Sequence, residues 1–250
     1  MTRDFEGKLA FVTGAASGIG AATSKLLAAR GARVTVADIN LDSAAQVASE
    51  IERDGGKASP VLIDVADPAS VEDAVGRATS EGAGLDLAVN AAGITGTLTP
   101  CADFAMADWH RIVGINLTGT FLCMRAQIPA MLRKGGGAIV NVSSIMGSHA
   151  LPGGSAYAAS KHGVEGLTKA AALDYAKKGI RINAVAPGYV DTPMIAGRKP
   201  SVNDKIVAMH PIGRIARPEE LAKVVVFLLS QDASFITGSV HLADGGFSAL

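Results

Sequence analysis

The chain has 250 residues, of which 48% are apolar and 18% are charged. This composition excludes a charge-rich disordered chain, and the length suits one α/β domain. Lysine plus arginine (23) equals aspartate plus glutamate (23), so no net charge favours binding to nucleic acid or an anionic membrane. No secretory leader and no apolar run of the ~20 residues that a membrane helix needs are recognisable. We therefore expect a soluble protein without nucleic-acid or membrane partners.

The cysteines and histidines show no pattern of a metal or disulfide site. Cys101 and Cys123 do not form a C-x-x-C motif, and the five histidines lack ligand spacing such as H-E-x-x-H. Unpaired cysteines are typical of a reducing compartment, so we expect a cytoplasmic protein without a metal.

Short apolar runs alternate with helical patterns from the beginning of the chain. Seven strands are predicted, at 9–13, 33–37, 58–63, 85–89, 138–142, 180–185 and 239–242. Helices are predicted at 19–30, 41–53, from about 69 after Pro68, within 104–133 with a bend at Pro129, at 155–178 and at 222–229. The strands are apolar throughout, which indicates burial between two helical layers. The expected fold is α/β: one doubly wound Rossmann domain over residues 1–250, with a seven-stranded, mainly parallel sheet.

Residues 187–217 interrupt this regular order. The segment contains four prolines and three glycines, which predicts a mobile loop with one short helix. Right-handed crossovers place the functional site at the carboxyl ends of the strands, so this loop is expected to close over cofactor and substrate.

The first predicted strand runs directly into TGAASGIG at 13–20, and a helix follows. In such a turn Gly14 permits a sharp bend, Gly18 lets a pyrophosphate approach the backbone, and Gly20 allows close packing of the helix. The free N–H groups at the start of the helix attract an anion. A purely structural glycine turn is the alternative, because an isolated glycine pattern is weak evidence for a nucleotide.

Asp38 ends the second predicted strand, 18 residues after Gly20. A carboxylate at this place can accept hydrogen bonds from both hydroxyls of an adenosine ribose. It would repel the 2′-phosphate of NADP, and Ser17, Ile39 and Asn40 supply no cation, so NAD is predicted. The alternative is that Asp38 only begins the next helix.

Ser144, Tyr157 and Lys161 form a second group of reactive side chains. Tyr157 and Lys161 are four residues apart on a predicted helix and share a face. An ammonium group beside a phenol favours the phenolate, so the pKa of Tyr157 is expected to fall below about 10. Ser144 follows the fifth strand at the same edge of the sheet and can bind a substrate oxygen. Alone, a Tyr/Lys pair with this spacing is usually an ordinary exposed helix face.

In order and spacing these motifs resemble the short-chain dehydrogenase/reductase family over nearly the whole chain. TGAASGIG resembles its T-G-x-x-x-G-x-G turn, YAASK at 157–161 its Y-x-x-x-K motif, and residues 90–93 its N-N-A-G motif. Ala91 replaces the second Asn of N-N-A-G, which puts a supporting hydrogen bond of the central sheet in doubt.

The resemblance implies roles for individual residues. Tyr157 would be the general acid/base, Lys161 would lower its pKa and bind the nicotinamide ribose, and Ser144 would position the carbonyl. Asn116 would hold a water molecule in a proton relay to Lys161. The implied cofactor-binding residues are Gly14, Ser17, Gly18, Ile19, Gly20, Asp38, Asp64, Val65, Asn90, Gly93, Tyr157, Lys161, Pro187, Gly188, Val190 and Thr192.

The expected function is hydride transfer between NAD(H) and a secondary alcohol or ketone. The residues expected around the substrate favour a small apolar molecule such as a cyclic alcohol or diol; they are Ile145, Met146, Leu151, Tyr189, Met194 and Ile195. His149 is expected either to border this pocket or to serve the loop alone. Small residues on the helix of Tyr157, including Gly163 and Gly166, indicate a subunit interface, and the resemblance implies a homotetramer.

Two other functions stay open at this point. A 3-oxoacyl thioester reductase has the same fold but commonly uses NADPH, which Asp38 disfavours. A non-catalytic dinucleotide-binding protein would not need Ser144, Tyr157 and Lys161 together. Neither the physiological substrate nor the reaction direction follows from the residues.

Overall fold

A computed structural model describes residues 3–79, 84–197 and 200–249. Seven strands form one sheet: β1 (Leu9–Thr13), β2 (Arg33–Asp38), β3 (Lys57–Leu62), β4 (Leu87–Asn90), β5 (Gly137–Val142), β6 (Ile180–Pro187) and β7 (Val240–Ala243). Their order across the sheet is β3-β2-β1-β4-β5-β6-β7. All six neighbouring pairs are parallel. The predicted doubly wound α/β fold is therefore confirmed.

Eight α-helices connect the strands in the described residues. They are α1 (Gly18–Ala29), α2 (Leu41–Arg53), α3 (Pro68–Ala78), α4 (Met106–Val113), α5 (Gly119–Leu132), α6 (Ser155–Tyr175), α7 (Pro200–Ala208) and α8 (Pro218–Leu229). The predicted helical stretch at 104–133 is divided by one π-helical turn, Gly114–Thr118, and α5 continues past Pro129 to Leu132. Helix α8 begins four residues earlier than predicted, because Pro218 suits a first helical turn.

The helices cover both faces of the sheet, as the apolar strands predicted. Phe11 and Val12, neighbours in β1, are both fully buried but belong to different core clusters. Val12 packs with residues of α1, α2 and α8, whereas Phe11 packs with residues of α3, α5 and α6. Each buried side chain of this size contributes roughly 1.5–3 kcal/mol to folding.

The edge strands depart from the prediction of uniform burial. Strand β3 pairs only with β2, and Leu62 near its end is 54% exposed. Pro60 is compatible with this position because an edge strand has N–H groups that need no partner. The prediction of central burial was wrong for β3, since an apolar run does not reveal whether a strand has one neighbour or two.

A buried polar network crosses the middle of the sheet. The Asn90 Nδ2 atom donates to Asn141 Oδ1 at 2.9 Å and to Gln127 Oε1 at 3.2 Å, and Gln127 Nε2 returns a bond to Asn90 Oδ1 at 2.9 Å. Asn141 Nδ2 donates to Thr168 Oγ1 at 2.9 Å. The network joins β4 and β5 to α5 and α6, so strand ends and helices near the site have a fixed relation.

Ala91 does not leave the end of β4 unsupported. The backbone N–H groups of Ala91 and Ala92 donate to Thr13 Oγ1 at 3.2 and 3.3 Å. These bonds join the segment after β4 to the end of β1. They use backbone groups and so do not depend on the side chain at position 91.

Residues 187–217 contain one short helix, as predicted. A 3₁₀ turn, Pro193–Ile195, precedes α7, and the positions 198 and 199 lie outside the described residues. The segment returns to its start, because Ala216 N donates to Tyr189 O at 2.9 Å and Asp191 N donates to Ala216 O at 2.8 Å. Closure of this segment over a ligand stays a prediction.

The described helices were also compared with the thickness of a bilayer. None of them is both long enough and apolar enough to cross one.

Candidate active site

A cavity of about 440 Å³ lies at the carboxyl ends of the strands. Its position agrees with the predicted site, because the turns after β1, β2, β4, β5 and β6 all contribute to its wall. The predicted site residues that line it are Gly14, Ser17, Gly18, Ile19, Gly20, Asp38, Asp64, Val65, Gly93, Ser144, Tyr157, Lys161, Pro187, Gly188, Val190 and Thr192.

At each of the three glycines of the first turn, a side chain would collide with a different neighbour. Gly14 has φ +62°, and a Cβ there would lie 2.7 Å from Ala92 N, while a Cβ on Gly20 would lie 2.2 Å from Gly14 O. Both glycines therefore serve close packing of the chain. A Cβ on Gly18, which has φ +53°, would lie 3.0 Å from Thr192 Cγ2 on the opposite wall.

The beginning of α1 has the properties of an anion-binding site. The helix begins at Gly18, and the side chain of Ser17 makes no capping hydrogen bond. The first N–H groups of a helix without such a cap are available to an anion. The absence of a side chain at Gly18 gives a pyrophosphate room to approach them, so the residues present fit a dinucleotide.

Asp38 accepts two backbone hydrogen bonds, one from the glycine turn and one from the start of the next helix. Ala16 N donates to Asp38 Oδ2 at 3.0 Å, and Asn40 N donates to Asp38 Oδ1 at 3.0 Å. Each carboxylate oxygen keeps acceptor capacity for a further donor, such as a ribose hydroxyl. The helix-cap alternative is wrong, because the side chain of Asn40 caps α2 by accepting from Ser43 N.

Asp64 and Val65 form the rim beyond Asp38. Asp64 Oδ1 accepts a hydrogen bond from Ala66 N at 2.9 Å, which shapes the turn after β3. Val65 is buried and packs on Gly119, where a Cβ would lie only 2.9 Å from Val65 Cγ2. The missing side chain of Gly119 thus lets this rim approach α5.

Lys161 and Tyr157 lie together on α6, as their spacing predicted. Lys161 is 5% exposed, and its Nζ atom donates to the carbonyl oxygen of Val142 at 2.8 Å. The Nζ atom is 5.7 Å from the centroid of the Tyr157 ring. Burial of the ammonium group lowers the pKa of Lys161 to about 8.

The expected low pKa of Tyr157 is not found. Burial raises the pKa of Tyr157, and the hydrogen bond with Ser144 lowers it by less. The phenol of Tyr189 raises this pKa further. The prediction was wrong because the loss of water around the phenol outweighs the stabilisation of the phenolate, and the Lys161 ammonium group is bonded to Val142 O.

Asn116 lies beside the cavity and does not line it. In the π-helical turn its Oδ1 atom accepts from Ile94 N at 2.9 Å, and its Nδ2 atom donates to Ile94 O at 2.9 Å and to Ser160 Oγ at 3.1 Å. A Cβ on Gly93 would lie 3.2 Å from Asn116 Oδ1 and 3.7 Å from Lys161 Nζ. Asn116 therefore positions the segment beside Lys161, and its role in a water relay stays a prediction.

Asn90 is the other predicted residue outside the cavity lining. Its side-chain amide is buried and committed to Gln127 and Asn141. The contact of Asn90 with a cofactor therefore stays a prediction. The motif alone does not show which way this side chain points.

The wall around Tyr157 is mainly apolar. The six residues expected there from the sequence all line the cavity: Ile145, Met146, Leu151, Tyr189, Met194 and Ile195. His149 is outside it and packs on Phe247 with ring centroids 5.8 Å apart. Among the described lining residues, Lys161 is the only lysine, arginine or histidine.

The sequence reasoning missed one part of this wall. Residues 94–98 and Phe104 also line the cavity. They follow β4 in a stretch without helical or strand periodicity, so no motif singled them out. Their position after a central parallel strand was the available signal, since such segments meet at the carboxyl edge of the sheet.

Comparison with known proteins agrees with this site. A family model described as enoyl-(acyl carrier protein) reductase matches residues 14–248. The cyclohexanol dehydrogenase of Acinetobacter sp. (strain SE19) is 48% identical over 249 residues, covering 100% of this chain and 98% of that protein. The cis-4-hydroxycyclohexanecarboxylate dehydrogenase of Sinomonas cyclohexanicum is 46% identical over 250 residues, covering 100% of each chain.

A solved structure gives the same result. The crystal structure of a short-chain type dehydrogenase/reductase from Mycobacterium marinum is 37% identical and has a TM-score of 0.92, covering 99% of this chain and 98% of that one. Sequence and fold thus agree from the glycine turn to the last strand. The chain belongs to the short-chain dehydrogenase/reductase family and is an oxidoreductase that uses a nicotinamide dinucleotide.

Proposed function

We propose that the protein is an NAD⁺-dependent dehydrogenase of neutral alicyclic secondary alcohols. The observation that carries the proposal is the pairing of Tyr157 and Ser144 within an apolar wall, one helical turn from the ammonium group of Lys161. The two relatives of 48% and 46% identity act, by their names, on cyclic alcohols. A substrate carboxylate would meet no cation other than Lys161 in the described lining, so the neutral alcohol is favoured.

The site residues divide the reaction between them. Ser144 binds the alcohol oxygen, and Tyr157 in its phenolate form removes the hydroxyl proton. The positive charge of Lys161, on the same helix face, opposes in part the effect of burial on the phenolate. The nicotinamide ring, when bound, accepts the hydride that leaves the carbinol carbon. Ketone reduction uses the same groups in the opposite direction.

Replacing Tyr157 by phenylalanine tests the proton-transfer role. The substitution removes only the hydroxyl group, so we expect kcat for cyclohexanol oxidation to fall by at least about 10²-fold. Binding of NADH, measured by its fluorescence, should change less than about twofold, because the ring remains. Turnover is followed by NADH absorbance.

Tyr175→Phe is the matched control, since Tyr175 ends the same helix and does not line the cavity. Near-normal turnover by Tyr157→Phe would contradict the mechanism.

The wild-type protein should oxidise cyclohexanol with a higher kcat/KM than cis-4-hydroxycyclohexanecarboxylate. The reverse order would contradict the proposal of a neutral substrate.

NAD⁺ is the proposed cofactor because of the contacts of Asp38. Its two carboxylate oxygens are fixed by Ala16 N and Asn40 N towards the cavity, where they can receive ribose hydroxyls. A 2′-phosphate there would face a carboxylate, and the described lining residues hold no cation other than Lys161. With this cofactor we also place the protein in the cytoplasm, where nicotinamide dinucleotides are available.

Asp38→Asn should reduce the preference for NAD⁺ over NADP⁺. Removing the negative charge abolishes the repulsion of a 2′-phosphate, so the ratio of the two kcat/KM values should fall by about tenfold or more. Asp42→Asn is the control, because Asp42 is exposed in the first turn of α2. A wild-type preference for NADP⁺ would overturn this assignment.

Experiments can distinguish two other functions from that of an alcohol dehydrogenase. The name of the family model refers to an enoyl thioester of acyl carrier protein, and a 39% identical relative from Thermotoga maritima is named a 3-oxoacyl-[acyl-carrier-protein] reductase; both names favour a thioester substrate. A preference of the wild-type protein for NADPH and 3-oxoacyl thioesters would support that function. A non-catalytic dinucleotide-binding protein would bind NADH and turn over neither alcohols nor thioesters.

We expect the buried ammonium group of Lys161 to lower the free energy of unfolding. Its pKa is lowered from 10.5 to about 8, so below pH 8 the folded protein contains a charged group that burial disfavours. Lys161→Met should abolish turnover yet raise the free energy of unfolding at pH 7 by on the order of 2 kcal/mol. Urea denaturation without cofactor measures this difference.

The difference in unfolding free energy between Lys161→Met and the wild-type protein should depend on pH. Between pH 8 and 10.5 the unfolded chain binds more protons at this lysine than the folded protein, so wild-type stability rises relative to the variant. The advantage of Lys161→Met should therefore shrink over this range. Lys169→Met, at an exposed position of the same helix, is the control. An advantage independent of pH would refute the explanation.

We also propose that the protein is a homotetramer. Large apolar side chains are exposed on two separate parts of the surface, Phe235 and Leu242 near the β7 edge and Phe121 and Leu173 on α5 and α6. Two different self-complementary faces on one chain produce a tetramer with three twofold axes.

Phe235→Glu should separate the tetramer into smaller species. Phe235 is 102% exposed, so a charge there would be buried at an interface in the tetramer and harmless in a monomer. Light scattering coupled to gel filtration measures the mass. Leu62→Glu, at the opposite sheet edge, should keep the wild-type mass. A monomeric wild-type protein at micromolar concentration would disprove the proposal.

A further inference from the structure

His210 is a buried histidine that the proposed chemistry does not use. It follows α7 in the segment that returns to the site, and it is 3% exposed. Its ring lies 5.7 Å from the ring of Tyr189 and 5.7 Å from that of Phe247, measured between centroids. The imidazole therefore joins the end of β6 to the C-terminal turn.

The partners of its two nitrogens fix its protonation. The Nδ1 atom is 2.7 Å from the carbonyl oxygen of Ile206, which can only accept, so Nδ1 carries the proton. The Nε2 atom is 3.2 Å from Tyr189 N, which can only donate, so Nε2 is the acceptor. Both nitrogens of His210 are therefore occupied, with Nδ1 donating and Nε2 accepting.

Two glycines lie against the imidazole ring of His210. A Cβ on Gly188 would lie 2.7 Å from His210 Nε2. A Cβ on Gly245 would lie 3.6 Å from His210 Cδ2. The glycine before Tyr189 thus lets the imidazole reach the Tyr189 N–H, and the bond depends on both residues.

Tyr189 connects this arrangement to the substrate. It lines the cavity, and its phenol raises the pKa of Tyr157, so it belongs to the catalytic end. Its N–H is held by His210 and its carbonyl by Ala216 N at 2.9 Å. The Tyr189 backbone is thus bonded to His210 and Ala216, and its ring also lies against the imidazole, edge to face.

We propose that His210 is a positioning residue that holds Tyr189 as a specificity-determining wall of the substrate site. The inference rests on the proposed function, because it concerns the alcohol half of the cavity. His210 touches neither the reacting atoms nor the substrate, since it acts through the Tyr189 backbone and ring. Its effect should therefore appear in alcohol binding rather than in the chemical step.

The test compares His210→Phe with His210→Gln. Phenylalanine keeps a flat ring but removes the acceptor of the Tyr189 N–H, so KM for cyclohexanol should rise about tenfold while kcat changes less than about threefold. Glutamine offers a side-chain oxygen to the same N–H and should recover most of the loss. The dissociation constant of NADH, from fluorescence, should change less than about twofold in both variants.

His110→Gln, at an exposed histidine of α4, is the control and should keep the wild-type KM. An unchanged KM in His210→Phe would overturn the proposal, as would an equal loss of NADH affinity, which would indicate displacement of the whole segment. If His210→Phe does not fold, Tyr189→Ala must show the same rise in KM, and an unchanged KM there also overturns it. Absence of alcohol oxidation by the wild-type protein would instead contradict the proposed function.

Discussion

The hydrogen bond from Lys161 Nζ to the carbonyl oxygen of Val142 determines the geometry on which the site depends. It joins the middle of the catalytic helix to the last residue of β5, immediately before the turn that carries Ser144. Tyr157 is one helical turn before Lys161, so the same bond sets the distance between the phenol and Ser144. The glycine turn and Asp38 then lie along the same sheet edge because their strands are parallel neighbours.

Burial changes the pKa values of Lys161 and Tyr157 in opposite directions but for the same physical reason. It lowers the pKa of Lys161 to about 8 and raises the pKa of Tyr157. Both changes favour the neutral forms, because a cavity with an apolar wall disfavours any charge. Proton removal by Tyr157, as proposed above, therefore has to overcome the effect of burial on the phenol.

The sequence was sufficient to predict the site where a motif lies between a predicted strand and a predicted helix and where close neighbours require its residues. Gly14, Gly18 and Gly20 stand between a buried strand and a helix, and the positions of their neighbours explain each glycine. Asp38 was recognisable because it ends a strand at a fixed distance from that turn.

What the sequence did not predict has a different physical cause. The buried partners of the Asn90 and Asn116 amides lie far away in sequence, at Gln127 and Ile94, so residue type and position do not show which way these side chains point. The exposure of β3 depends on its place at the sheet edge. The pKa of Tyr157 depends on how completely water is excluded, which local spacing does not determine.

Helix α6 shows why the buried face nearest the site is polar. Lys161, Glu165 and Thr168 follow one another at helical spacing and reach successive groups near the end of β5. Lys161 donates to Val142 O at 2.8 Å, Ser143 Oγ donates to Glu165 Oε1 at 2.9 Å, and Asn141 Nδ2 donates to Thr168 Oγ1 at 2.9 Å.

An apolar face in this place would give more stability but less definition of position. Dispersion contacts change little when a helix slides by a fraction of an ångström, whereas a buried hydrogen bond that loses its partner costs roughly 1–3 kcal/mol. Three such bonds along α6 therefore allow one register between the helix and β5. That register holds Tyr157 and Ser144 within hydrogen-bond distance of each other, so the polar stripe is the structural condition for the proposed chemistry.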